Sequence, residues 1–304
     1  AKEKTVNLNS FWRMEYVNDP YLMHLSLDEL SYRARYLIES LTTLELNGKI
    51  GLRNIEQEPG RDLMRKFTHV LQELDMRKQN FPAMFMQGAS IPKAMLGHEK
   101  RLMALNSLAI NKKPHLVKFG KKEYLEQYSF KVSLASSFSD PSLNAAQMDD
   151  EMKAIYTPHP SEVKMTTMDG EDIQGVQSII LTFEATQDYY IFCSSAGFDV
   201  RLFGDFEADA CLFIYDSHRF AEDLHKAVST KVRVEDYGYK NVTYVDPVRP
   251  KKGNPPPVEF HKHIEYLYQN EYRHVFVPYV SENKPRDLFL SIPEASSYTE
   301  LVCL

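Results

Sequence analysis

Asn111-Lys112-Lys113-Pro114-His115-Leu116-Val117-Lys118-Phe119 marks the place where the hydrophobic period of this chain changes. Before it, apolar residues recur every three or four positions, the spacing of one helix face. After it they come in short runs with polar breaks, the spacing of strands. The first four residues are polar, charged and closed by a proline, and read as a linker. The chain therefore reads as α+β. A helical N-terminal domain or cap is expected over residues 1–110, and a mainly antiparallel sheet domain over residues 115–304.

Upstream of the linker, Ser26-Leu27-Asp28-Glu29 is a capping box, in which a hydroxyl and a carboxylate three residues apart satisfy the first amides of a helix. Leu30, Ala34, Leu37, Ile38, Leu41 and Leu44 continue its apolar face, and Asn47-Gly48 is expected to end it. A second helix is predicted from about Glu58-Pro59-Gly60, with Leu63, Phe67, Val70 and Leu74 inward, and a third from Pro92 to about Leu108. Downstream, strands are predicted at 115–119, 130–134, 175–183, 189–193, 210–215, 231–234, 241–245, 272–277 and 288–292, with a last one near 300–304. One helix is predicted over 217–229. Residues 247–257, PVRPKKGNPPP, favour extended polyproline II with Lys251-Lys252 at the centre, either a surface loop or a lid.

Composition narrows the function classes. With 304 residues, 43% hydrophobic and 26% charged, the chain is neither disordered nor of low complexity. A net charge of −6 gives no long-range attraction to nucleic acid or anionic lipid, although Lys112, Lys113, Lys118, Lys121 and Lys122 form a local basic cluster. Cys193, Cys211 and Cys303 are widely spaced and make no CxxC pair, which speaks against a disulfide framework or a cysteine zinc site. The polar start AKEKTVNLNS shows no secretory pattern, and no apolar run approaches the length of a membrane span. A cytoplasmic protein without membrane or metal is expected. Phosphate-loop, zincin and nucleophile-elbow motifs are missing from the sequence.

Three stretches contain candidate chemistry. Gln269-Asn270-Glu271-Tyr272-Arg273 runs into the apolar His274-Val275-Phe276-Val277, so Glu271 stands at the mouth of a strand. If the stretch is extended, Gln269 and Glu271 share a side. The pattern alone favours an exposed strand start with Glu271 paired to Arg273. Tyr189 to Gly197 is an apolar strand ending in Ser194-Ser195, whose hydroxyls suit a ribose or phosphate and whose residue types also suit a turn. Ser139-Asp140-Pro141 is a turn signal, and the Asp149-Asp150-Glu151 run after it reads as solvated or helix-starting, since three adjacent carboxylates cannot face one way. His261 and His263 flank Lys262 without a third metal ligand in view.

In order, Leu116–Gly120, Ser136–Asn144, Tyr190–Ser195 and Gln269–Arg273 resemble a widespread bacterial family with a lysine–aromatic first strand, a Ser-Asp-Pro turn and a late Gln-x-Glu-aromatic-Arg strand. That family in turn resembles the ADP-ribosyltransferase fold, over roughly residues 115–304. The resemblance implies a split antiparallel sheet whose first, middle and late strands supply the site, with NAD as substrate. Glu271 would be the catalytic acid and Gln269 its partner toward the acceptor. Ser194 and Ser195 would form the middle motif and Lys118 the first-strand cation, where the family has arginine or histidine. Phe119 and Tyr190 would stack on the bases of NAD. With motif order included, the catalytic reading of Glu271 is preferred to the bland one. The implied activity is transfer of ADP-ribose to a protein or nucleic acid, by an effector of the toxin or anti-phage defence kind with an antitoxin or regulatory partner. An NAD glycohydrolase and a non-catalytic binding module are the alternatives.

Overall fold

The computed structural model describes residues 8–44, 50–80, 98–144, 146–250, 255–279 and 285–304. Helices α1 (Leu8–Asn18), α2 (Leu27–Leu41), α3 (Gly60–Met76) and α4 (Glu99–Lys112) open the chain, with strands β1 (Thr42–Leu44) and β2 (Ile50–Leu52) between α2 and α3. Then come β3 (Leu116–Gly120), α5 (Lys122–Leu125), β4 (Ser129–Leu134), β5 (Lys153–Tyr156), β6 (Leu181–Glu184) and β7 (Tyr190–Ser195). They are followed by α6 (Arg201–Asp205), β8 (Ala210–Ile214), α7 (Ser217–Ser229), β9 (Val234–Asn241) and β10 (Thr243–Val245). The chain ends with β11 (His261–His263), β12 (Glu271–Pro278), β13 (Asp287–Ser291) and β14 (Thr299–Cys303). The α+β class and the helical N-terminal region are as expected.

The capping box forms: Ser26 Oγ accepts from the Glu29 amide at 3.2 Å, and Glu29 Oε2 accepts from the Ser26 amide at 2.7 Å. Helix α2 stops at Leu41, earlier than predicted, because Thr42 turns extended and its strand pairs with β2. The expected stop at Asn47-Gly48, the start of the third helix at Pro92, and Lys251-Lys252 lie outside the described residues. The predicted linker is partly helical: Lys112 is the last residue of α4, and Lys113 caps it in the left-handed region at φ 49°. Helix α1 and the strand β9 had no counterpart in the sequence reading; β9 is charged, VEDYGYKN, and starts where the predicted 231–234 strand ends. Of the predicted 175–183 strand only its end forms, because β5, the strand it pairs with, is four residues long.

Eight strands make one sheet, and β7 is its hinge. One edge of β7 pairs with β12 along its whole length, and β12 pairs outward with β9. The other edge is shared. At its start β7 pairs with β4, and at its end Ser195 pairs with Val117 of β3. The sheet therefore splits, into a β4–β13 wing and a β3–β8–β14 wing. Alternation gives the sheet two covered faces. Leu116, Phe192, Leu212, Ile214 and Phe276 pack under Phe220, Leu224 and Val228 of α7. Val117, Phe119, Cys211 and Phe213 pack under Leu102, Leu105 and Ala109 of α4 and Leu202 and Phe203 of α6.

Helices α1, α2 and α3 share another core, which includes Leu30, Leu37, Leu63 and Val70 and reaches Val248 and Ile264 of the later chain. A buried ion cluster reinforces the junction. Arg33 donates twice to Asp246, at 2.7 and 2.6 Å, and Lys66 Nζ lies 3.2 Å from the same carboxylate. Ser40 Oγ donates to the Glu265 carbonyl at 3.1 Å. The N-terminal helices thus grip the segment that leads into Glu271, while α4 belongs to the sheet.

Candidate functional site

Glu271 opens β12 directly beside Ser195. Paired residues of neighbouring strands project on one face, so Val117, Ser195 and Glu271 form a row across β3, β7 and β12. The first, middle and late strands of the sequence reading are neighbours. Ser194 and Lys118 fall on the opposite face, by alternation.

Glu271 does not stand exposed at a strand mouth; it is 5% accessible. Its Oε1 accepts from Arg273 Nε at 2.5 Å and its Oε2 from Lys262 Nζ at 2.6 Å. Glu151 completes the cluster: Arg273 Nη2 lies 2.7 and 2.6 Å from its two oxygens, and Lys262 Nζ lies 3.6 Å away. All four side chains are buried, Arg273 completely. Burial opposes ionisation of Glu271, but Arg273 and Lys262 outweigh it and hold the carboxyl well below the usual range. Burial pushes Glu151 and Asp149 the other way, upward. Burial disfavours the cations, yet Glu271 and Glu151 keep Lys262 and Arg273 firmly protonated.

Several expectations need correction. Asp149-Asp150-Glu151 is not a solvated run: Glu151 is buried and ion-paired, with Asp150 left exposed. The stretch before Glu271 is not extended, because Gln269 ends a 3-10 turn and Asn270 is left-handed at φ 44°. Gln269 is 2% accessible and donates to the Ala146 carbonyl at 2.9 Å. Lys118 Nζ donates to the Cys193 carbonyl at 2.7 Å and sits 4.5 Å from the centre of the Phe192 ring. It bridges the gap where β7 has left β4 and not yet met β3, and is not open to a phosphate. Phe119 and Tyr190 are core residues, not open stacking surfaces. Phe119 packs edge-on to Phe203, with ring centres 5.1 Å apart, and the Tyr190 hydroxyl donates to the Pro285 carbonyl at 2.7 Å. Ser194 Oγ donates to the Tyr272 carbonyl at 3.3 Å. The basic cluster also disperses, since Lys112 pairs with Glu300 and Lys121 donates to the Glu207 carbonyl. Burial raises the Cys193 thiol above its ordinary value.

Glu151 and Lys262 were missed by sequence. The alternation His261-Lys262-His263 did contain a signal: if the histidines face one way, the lysine faces the other. Nothing in sequence ties Glu151 to Arg273, 122 residues later. The strap that brings it, residues 146–151, is held by side chains from below: Gln269, Tyr266 to the Met148 carbonyl at 2.9 Å, and Tyr189 to the Glu151 carbonyl at 2.6 Å. A surface groove of about 500 Å³ between α7 and β13 is lined by Lys226, Lys231 and Phe289, and none of the candidate residues borders it. Among the described residues, no group of three or more histidine, cysteine or carboxylate side chains is placed to hold a metal ion. No helix among them is long and apolar enough to cross a membrane. No family model matches this chain, and neither a curated protein nor a solved structure matches it.

Proposed function

We propose that this chain is an NAD-dependent ADP-ribosyltransferase that delivers ADP-ribose to a macromolecular acceptor, protein or nucleic acid. One observation carries the reading: Ser195 and Glu271 stand side by side on neighbouring strands, at the split of an antiparallel sheet. Breakage of the bond between nicotinamide and ribose C1′ leaves positive charge on the ribose ring. The ionised Glu271, accepting a hydrogen bond from the ribose 2′-hydroxyl, stabilises that charge, as preorganised groups do at a transition state. The Ser195 hydroxyl lies beside it to orient the ribose. The acceptor's nucleophile then bonds to C1′ and gives up its proton, and nicotinamide departs with the bonding pair. An effector of the toxin or defence kind, acting in a cytoplasm where its three cysteines stay reduced, fits this chemistry.

A second reading has an observation of its own. Both Glu271 oxygens are already bonded to cations, which suits a binding or sensor module that does no chemistry. Labelled NAD incubated with the purified chain and a cell lysate, then divided into protein, RNA and DNA, separates the two. Label in one fraction, lost with Glu271→Gln, supports the transferase. Free nicotinamide without a labelled fraction selects an NAD glycohydrolase, and untouched NAD selects the binding module.

A further inference from the structure

Four buried charges at one strand end need a reason beyond stability, because a buried ion pair is often no better for folding than well-packed apolar residues. Arg273 and Lys262 share two carboxylates, while Arg273 Nη1 donates to the Glu259 carbonyl at 3.0 Å. Arg273 Nε and Lys262 Nζ bind Glu271, whose place at the strand start is fixed by the ladder to β7. Nη2 of Arg273 alone faces the two Glu151 oxygens, with the Lys262 ammonium 3.6 Å from one of them. Glu151 comes from elsewhere. It rides on a strap whose described residues between Asp140 and Met152 form turns without a strand ladder. Side-chain bonds from Gln269, Tyr266 and Tyr189, with one backbone bond from the Asp149 amide to the Phe138 carbonyl at 3.0 Å, hold it down. Lifting it frees Arg273 Nη2, next to the Lys262 ammonium and Glu271.

We propose that Arg273 and Lys262 are the anion-binding pair of this site, that they take the pyrophosphate of a dinucleotide, and that Glu151 is an internal anion occupying their place in the closed form. This rests on the NAD reading above for the identity of the dinucleotide. It also supplies the cation that Lys118, bonded to the Cys193 carbonyl, does not provide. Arg273 Nη2 carries two N–H donors and already reaches two carboxylate oxygens at 2.7 and 2.6 Å, so it can take two phosphate oxygens in their place. The strap makes entry conditional: the ligand binds at the intrinsic affinity reduced by the fraction of molecules whose strap is open.

The test uses the full chain, as wild type, Glu151→Gln and Tyr266→Phe, titrated calorimetrically with inorganic pyrophosphate and then with NAD. Backbone hydrogen exchange of residues 146–152 is followed in parallel. Glu151→Gln is expected to bind pyrophosphate about tenfold more tightly than wild type, as removal of a closed-state penalty requires. Tyr266→Phe, which leaves all four charges in place and frees only the Met148 carbonyl, shifts the affinity in the same direction by about threefold. In wild type, pyrophosphate speeds exchange of 146–152. Equal affinities in all three proteins, or pyrophosphate binding that leaves exchange of 146–152 unchanged, overturns the proposal. If Glu151→Gln does not fold, Tyr266→Phe decides by the same criterion. Tight pyrophosphate binding without NAD binding upholds the anion pair and defeats the NAD reading. NAD cleavage without pyrophosphate binding does the reverse.

Discussion

Glu271 has a structural role in the ion cluster and a proposed one in the reaction, and both draw on the same carboxylate. It neutralises Lys262 and Arg273 in the closed molecule, and it is the proposed charge-stabilising group in the open one. Glu271→Gln therefore lowers both stability and activity. Removing one partner of a buried ionic network costs roughly 3–5 kcal/mol, to be read as a drop in the denaturation midpoint. Loss of one preorganised electrostatic contact lowers turnover by about 10²–10³. A variant that keeps wild-type turnover while losing stability would leave Glu271 purely structural. The sequence made Glu271 and its Arg273 pairing visible because both lie in one short strand. It hid Glu151, whose partner is remote, and suggested a solvated carboxylate because neighbouring acids are usually exposed.

Elements were legible where period and caps agreed. Helix α7 falls where its apolar spacing placed it, with Asp216 accepting from the Arg219 amide at 3.0 Å as its N-cap. The β9 strand was illegible because its charged residues mask the pattern, and its aromatic rungs, such as Tyr237 stacked on Phe276 at 4.6 Å, emerge only with β12 beside it. At the split in β7, Lys118→Met leaves the Cys193 carbonyl without its partner. The cost is about 1–3 kcal/mol for an unsatisfied buried polar group, measured by chemical denaturation, and NAD affinity stays as in wild type. A large fall in NAD affinity would instead restore Lys118 to the binding site. At the junction of the helical core, Asp246→Asn leaves Arg33 without its counter-charge and Lys66 with only Asp62, 3.5 Å away. A loss of roughly 3–5 kcal/mol is expected, with proteolysis beginning in the N-terminal helices; cleavage confined to the sheet would contradict the clamp.

The whole molecule buries histidines that a folded chain must keep neutral. Burial lowers His69 and His261 to about 4 and His274 to about 3, from 6.5 in the unfolded chain. Their folded pKa values are depressed, so the unfolded chain binds more protons below 6.5. Their stabilisation is complete above that pH and is lost as pH falls toward 4. Glu271, also depressed, adds a loss below its unfolded value of 4.5. Glu151 and Asp149, raised by burial, work the other way over this range, so the histidine contribution is read by comparison: the thermal midpoint of wild type should lose more between pH 6.5 and 4 than that of His274→Phe, and equal losses would contradict the burial of that ring. At this scale the sequence foretold a helical region and a mainly antiparallel sheet, but not that α4 joins the sheet or that the first three helices hold the segment leading into Glu271. Those are long-range packing choices, and apolar spacing says which face is buried without saying against what.

The most direct test of the central claim is cleavage of NAD by the purified full chain, with and without lysate, in wild type, Glu151→Gln and Glu271→Gln. Nicotinamide release with ADP-ribose on a macromolecular fraction is expected, faster with Glu151→Gln and about 10²–10³ slower with Glu271→Gln. NAD left intact by folded wild type and folded Glu151→Gln alike, with lysate present, would contradict that claim.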